Sequence, residues 1–107
     1  MAIVTFPYAL KKELGLTDEN LETLVDMARR VAGVEIAVAI RQPHAESVFR
    51  VSTRASVDFD VSAVCAVFGG GGHPRAAGAT LTGFDGIDAA EAAVLDAIRA
   101  RFDKKVQ

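Results

Sequence analysis

The spacing of apolar residues along this chain changes period several times and predicts alternating strands and helices. A β-branched run at 2–6 predicts a first strand that stops at Pro7. Over 34–41 large apolar residues alternate with alanine or charged residues, and alternation resumes over 48–54 after a polar turn, which predicts a β-hairpin. A fourth strand is predicted at 77–82, directly after a glycine-rich loop.

Helical spacing of apolar residues predicts two helices between the first strand and the hairpin. The first covers 8–14 and ends at Gly15, a residue type that suits the left-handed end of a helix. The second begins after Thr17, a good N-cap, and closes at Gly33.

Two further helices are predicted in the second half of the chain. One begins after Asp58 or Asp60 and runs to the glycine loop; the other begins after Asp85 or Asp88 and packs on the sheet. We interpret the first aspartate pair as helix capping rather than a metal site, because no third carboxylate or histidine accompanies it. The order of elements predicts one α/β domain over 1–107, a small mixed β-sheet packed with α-helices.

The predicted hairpin has one polar face. Arg50, Ser52 and Arg54 alternate with apolar residues on its second strand. If the two strands pair, small alanines of the first strand share the face of these polar residues, which is then shallow and positive. Such a face suits either a flat anionic ligand or water, which commonly covers one side of an antiparallel sheet.

Composition limits the classes of function. Lys and Arg total 12 and Asp and Glu total 14, so the chain lacks the basic excess of a protein that binds long nucleic acids. Any anion site must be local. Cys65 is the only cysteine, which excludes an internal disulfide and a zinc site built from cysteines. No run is long enough to span a membrane and no signal pattern opens the chain, so we expect a soluble, cytoplasmic protein with no membrane partner.

Four successive glycines at 69–72, followed by His73 and Arg75, carry the candidate chemistry. A glycine run costs backbone entropy, so it indicates a loop that needs unusual dihedral angles or a close backbone approach. Exposed N–H groups in such a loop form a concavity for anions, and the two side chains add donors at its rim. Apolar segments on both sides favour this cradle over a flexible linker.

Residues 69–79, Gly-Gly-Gly-Gly-His-Pro-Arg-Ala-Ala-Gly-Ala, resemble the signature of the DHH-associated domain of DHH-family phosphoesterases. That signature is Gly-Gly-Gly-His, two variable residues, then Ala-Ala-Gly. Residues 52–56, Ser-Thr-Arg-Ala-Ser, are similar to the family's Ser-x-Arg-Ser strand end, with Ala55 inserted before Ser56. The resemblance covers nearly the whole chain and is strongest to the oligoribonucleases that also dephosphorylate 3′-phosphoadenosine 5′-phosphate.

The resemblance implies that the metals belong to a separate domain. In this family an N-terminal DHH domain holds two divalent cations, Mn²⁺ or Mg²⁺, through a cluster that includes Asp-His-His, and the C-terminal domain grips the nucleotide. This chain has no Asp-His-His, and its histidines are His44 and His73. The chain is thus expected to be the substrate-recognition half of a hydrolase, inactive alone and without a cofactor of its own. Its expected partners are the missing DHH domain and a nucleotide or short single-stranded oligonucleotide.

The resemblance also implies roles for side chains on the strand and the loop. Arg54 is expected to clamp a phosphate, and Ser52 and Ser56 to add hydroxyl contacts. His73 is expected to donate to a phosphate oxygen and to stabilise charge there in the full enzyme, without being a catalytic residue of this chain. Arg50 lies on the same strand face as Arg54 and is a weaker candidate for a ligand contact.

The glycines and one further arginine complete the implied site. Gly70, Gly71 and Gly72 are expected to offer N–H groups and to let a base or ribose approach. Arg75, at a variable position of the motif, is expected to make a rim contact only.

Two other functions remain open. The chain suits a stand-alone nucleotide-sensing or dimerisation module, in which case it forms a homodimer or pairs with a catalytic partner. It also suits the C-terminal part of a cyclic-dinucleotide phosphodiesterase or a single-strand exonuclease, which carry related domains.

Overall fold

Strands and helices alternate along the chain in the predicted order, with one strand added. The computed structural model describes residues 1–30, 35–44, 46–56 and 58–106. The elements, in chain order, are β1 (Ala2–Phe6), α1 (Tyr8–Leu14), α2 (Asp18–Arg30), β2 (Ile36–Arg41), β3 (Val48–Ala55), α3 (Val61–Ala66), β4 (Gly71–His73), β5 (Ala76–Thr82) and α4 (Ile87–Val106).

The strands form a single mixed sheet in the order β1-β2-β3-β5-β4. β1 runs parallel to β2, and α1 and α2 make the crossover between them. The other three pairings are antiparallel, which confirms both the predicted hairpin and the small mixed α/β sheet.

Local capping chemistry sets several of the helix ends. Gly15 ends α1 in the left-handed conformation, with φ of 66°. Before α2, Thr17 and Asn20 cap each other: each backbone N–H donates to the other's side-chain oxygen at 3.1 Å. The carboxylate of Asp60 accepts the N–H of Ser62 at the start of α3, as the capping interpretation predicts. The predicted end of the second helix at Gly33 lies outside the described residues.

The two faces of the sheet pack against different helices. One face carries the larger core, with the apolar side chains of β2 and β3 against α3 and α4; its most buried members include Val38, Ile40, Phe49, Val64 and Val94. On the other face, Leu21 and Val25 of α2 pack on Phe6, Ala37 and Ala39. Small alanines let α2 lie close to the sheet. The polar face predicted for the hairpin is therefore covered in part by a helix rather than left wholly to a ligand or to water.

The glycine segment differs from its prediction as an irregular loop. Gly71–His73 forms β4, which pairs with β5 at the edge of the sheet. The preceding helix also ends at Ala66, two residues before Phe68. Glycine has a low strand propensity, so this short strand depends on tertiary pairing and leaves no local sequence signal. None of the helices in the described ranges combines the length and apolar character needed to cross a membrane.

Candidate functional site

The end of α3 folds the glycine segment back against the sheet. The N–H of Gly70 donates to the carbonyl of Cys65 at 2.9 Å, and that of Gly69 to Ala66 at 3.1 Å, so both groups complete the helix end. A Cβ on Gly70 would lie 2.8 Å from the Cα of Ala79 on β5. Glycine is required there for close approach to β5, and its N–H is already used within the protein.

A cleft of about 450 Å³ lies between this segment, the sheet and α2. Its floor includes Arg50 and Ser52 of β3 and Gly78 and Thr80 of β5. Phe68, Gly69 and Gly70 form one wall, while Glu22 and Arg41 line the cleft at the other side. The cleft is open and charged, the type of surface that suits a polar ligand.

Glu22 of α2 connects the polar side chains of two strands. Its Oε1 accepts bonds from Arg41 Nη1 at 2.9 Å and from Ser52 Oγ at 2.8 Å, and its Oε2 accepts Arg54 Nη2 at 2.8 Å. Arg54 Nε also donates to Asp26 Oδ1 at 2.9 Å. Arg54 is thus held by two carboxylates from α2, which balance the charges of Arg41 and Arg54.

These contacts set the ionisation of Glu22. Partial burial by itself raises the pKa of its carboxyl, but hydrogen bonds from Ser52 and Arg41 and the charges of Arg54 and Arg41 outweigh burial. The net result is a pKa below the ordinary value of 4.5. Glu22 therefore remains a carboxylate at neutral pH and keeps negative charge beside the cleft.

Strand register brings the predicted Arg54 and His73 to one face. Each is paired directly with Ala76 of β5, Arg54 from β3 and His73 from β4. Residues that are directly opposite each other in neighbouring strands point to the same side. The next row on this face contains Ser52, Gly78 and Gly71, so the predicted residues Ser52 and Gly71 share it.

The hairpin turn between β4 and β5 orients His73. Its Nδ1 accepts the backbone N–H of Arg75 at 3.0 Å, which leaves Nε2 as the protonated nitrogen of the neutral ring. The ring is exposed, so Nε2–H is available to an acceptor from outside. This geometry suits the predicted role of His73 as a donor to a phosphate.

Arg75 and Ser56 lie at the end of the sheet rather than in the cleft lining. Arg75 Nη1 donates to the carbonyl of Phe59 at 3.3 Å, and its Nη2 lies 3.4 Å from Asp58. Ser56 follows β3, where its N–H donates to the carbonyl of Glu35 at 2.9 Å. Of the side chains predicted for the site, Ser52 alone is in the lining of the cleft, although Arg54 contacts Glu22 at its border.

Three residues of the cleft, Glu22, Arg50 and Thr80, were missed or ranked too low from the sequence, as was Asp26 beside it. Glu22 and Asp26 are four residues apart, a spacing that places both on one face of a helix, and this signal was present in the sequence. Thr80 and Arg50 are directly paired across β5 and β3. Arg50 ranked below Arg54, yet it is the exposed arginine of the cleft.

The described residues do not offer a site for a metal ion. In that part of the chain no three histidine, cysteine or acidic side chains come together in a way that fits a metal. Asp60 is used in capping and also contacts the hydroxyl of Ser62. These residues therefore do not fit Mn²⁺ or Mg²⁺. The polar side chains that line the cleft are those of Glu22, Arg41, Arg50, Ser52 and Thr80.

Comparisons with known proteins agree with this architecture. The family model described as DHHA1 domain matches residues 4–105. Over 82 residues the chain is 37% identical to the bifunctional oligoribonuclease and PAP phosphatase NrnA of Thermus thermophilus; the match covers 77% of this chain and 24% of that protein. The chain thus spans about a quarter of the length of this curated relative.

Two solved structures share the fold. An exopolyphosphatase-related protein from Bacteroides fragilis has a TM-score of 0.69 and 18% identity over 94% of this chain and 30% of its own. A pGpG-specific phosphodiesterase, PggH from Vibrio cholerae, has a TM-score of 0.50 and 19% identity over 63% of this chain and 24% of its own. At these identities the likeness concerns the fold alone.

Proposed function

The chain belongs to the DHHA1 domain family, and from that premise we propose that it is the substrate-recognition half of a metal-dependent phosphoesterase. It holds the phosphate-bearing part of a nucleotide or short single-stranded oligonucleotide on the open sheet face. A separate DHH domain supplies Mn²⁺ or Mg²⁺ and the hydrolytic chemistry. The substrate class is that of oligoribonucleases and 3′-phosphoadenosine 5′-phosphate phosphatases, the activities in the name of the Thermus relative.

The single observation that carries this proposal is the shared row of Arg54 and His73. Both are in register with Ala76, whose side chain is a single methyl group. A guanidinium offers several N–H donors in a fixed plane, and the ring Nε2–H of His73 adds another. Arg54 also bonds Glu22 and Asp26, so a phosphate that enters here shares or exchanges those partners.

The remaining predicted residues have supporting roles in this proposal. Ser52 lines the cleft, where its hydroxyl donates to Glu22 and would have to exchange that partner to contact a ligand. Gly71 and Gly72 leave the edge of the sheet free of side chains. Gly70 acts through close packing, since its own N–H bonds Cys65. Ser56 and Arg75 lie just beyond the strand ends, where the N–H of Ser56 donates to Glu35 and the guanidinium of Arg75 contacts Phe59 and Asp58.

A titration followed by amide NMR tests the proposal. Adenosine 3′,5′-bisphosphate or the dinucleotide pApA, added to the full chain, is expected to shift amide resonances of 52–56 and 69–78. Adenosine without phosphate is the matched control and is expected to shift them far less. Absence of shifts in these segments with every phosphorylated ligand would contradict the proposal.

A further inference from the structure

Arg50 differs from the other two arginines of this sheet face. Arg41 and Arg54 each bond carboxylates of α2. The guanidinium of Arg50 has no ion-pair or hydrogen-bond partner within the described ranges, and the residue is exposed in the cleft lining. The strongest uncompensated positive charge on the cleft floor is therefore at Arg50.

Strand pairing places a hydroxyl beside Arg50. Thr80 of β5 is its direct cross-strand partner, and both line the cleft opposite Gly69 and Gly70. Directly opposite side chains on one sheet face are close enough to contact a common ligand. A guanidinium and a hydroxyl together suit a phosphate, because both donate hydrogen bonds and one carries the opposite charge.

The surface between Arg50 and Arg54 has a low profile. The intervening row contains Ser52, Gly78 and Gly71, so one hydroxyl and two residues without side chains lie between the two arginine rows. Four residues along a strand correspond to about 13 Å between the two arginine Cα atoms. The guanidinium of Arg54 bonds Glu22 and Asp26, whereas that of Arg50 does not bond either carboxylate.

We propose that Arg50 and Thr80 form a second anion subsite, which binds another phosphate of a ligand that also reaches the row of Arg54 and His73. This inference rests on the proposed function and specifies its substrate class. The site takes an oligonucleotide with phosphates on successive nucleotides in preference to a mononucleotide. The chain of the ligand lies across the low row of Ser52 and Gly78.

The affinities of the wild-type chain and of three variants for two ligands test the subsite. Adenosine 5′-monophosphate and pApApA are titrated into the wild-type chain, into Arg50→Gln and into Arg99→Gln, an exposed arginine of α4 that is distant from the cleft lining. Arg50→Gln is expected to weaken the binding of pApApA by about fivefold, the effect of losing one exposed ion pair. The affinity for the mononucleotide is expected to change less than about twofold. Arg99→Gln is expected to change neither affinity. Thr80→Val removes the exposed hydroxyl without changing the charge of the cleft. It is expected to weaken the binding of pApApA, but not that of the mononucleotide, by a smaller factor than Arg50→Gln does.

The outcomes separate the subsite from the proposed function. If both ligands bind the wild type and Arg50→Gln leaves their affinity ratio unchanged, the subsite is overturned while the proposed function stands. If the wild type binds neither ligand, the proposed function fails and the subsite with it. The titration is repeated at higher salt, where the difference between wild type and Arg50→Gln is expected to shrink for pApApA; a difference that does not change with salt would overturn the electrostatic basis of the subsite.

Discussion

Arg54 and His73, which lie on different strands and nineteen positions apart in the sequence, are both directly paired with Ala76 and face the same side of the sheet. β5 therefore acts as the spacer that sets their separation. Its residue at this point is small, and both flanking side chains carry donors. This relationship makes the two residues candidates for the same phosphate.

A shared phosphate predicts energetic coupling between these two residues. Arg54→Gln and His73→Gln are each expected to weaken adenosine 5′-monophosphate binding, and the double variant is expected to lose less than the sum. The expected coupling is about 1 kcal/mol, as for residues that contact one group. A double-variant cycle measured by calorimetric titration gives this quantity. The cycle of His73→Gln with Arg99→Gln is the control and should be additive; additivity in the Arg54 cycle would contradict the shared contact.

Stability is expected to depend on pH through Glu22. Its pKa is lowered in the folded state, so its favourable contribution is fully present above its ordinary pKa of 4.5 and is lost as pH falls through the lowered value. Glu22→Gln is expected to cost about 1 kcal/mol at neutral pH, a modest figure because the side chain is 37% exposed and screened by solvent. The difference between the two proteins should shrink below pH 4.5.

Urea unfolding at a series of pH values measures this difference. Glu13→Gln, an exposed position on α1, is the control for loss of one carboxylate. A stability difference between the wild type and Glu22→Gln that stays constant from neutral to acidic pH would show that the ion pairs of Glu22 do not stabilise the fold.

Much of the sheet face was predictable from the sequence because a strand alternates its side chains strictly. Alternation placed Arg50, Ser52 and Arg54 on one face, and the hairpin register brings Ala37 and Ala39 beside Arg54 and Ser52 as expected. The cap at Asp60 was equally local, since it depends on residues two and three positions away.

Contacts between distant segments could not be read in the same way. Glu22 reaches Ser52 and Arg54, 30 and 32 positions along the chain, and its role depends on how α2 lies across the sheet. The strand at Gly71–His73 was likewise unpredictable, because pairing with β5 overrides the weak strand propensity of glycine. The motif resemblance predicts a phosphate contact for Arg54, but it gives no sign of the carboxylates of Glu22 and Asp26 that bind Arg54.

The cap of α3 gives a prediction about local stability. Asp60→Ala removes the carboxylate that accepts the N–H groups of Ser62 and Ala63, and is expected to destabilise the fold by about 1 kcal/mol. Asp58→Ala is the matched control, since that side chain is almost fully exposed and makes only a 3.4 Å contact with Arg75. Thermal unfolding of both variants measures the effect. Equal melting temperatures for the two variants would contradict a capping role for Asp60.

The glycine run predicts different outcomes for neighbouring positions. Gly70→Ala forces a methyl group to within 3 Å of the backbone of β5, so it is expected to destabilise the fold by about 1–3 kcal/mol, as overpacking does. Gly71→Ala is the matched control, because a Cβ at that position meets no atom within 4 Å and its φ is not in the left-handed region. Urea unfolding of the two variants measures the difference in unfolding free energy. If Gly71→Ala lowers the unfolding free energy as much as Gly70→Ala does, the glycines serve backbone flexibility in general. A loss of stability confined to Gly70→Ala indicates that Gly70 is needed for close packing on Ala79 at the wall of the cleft.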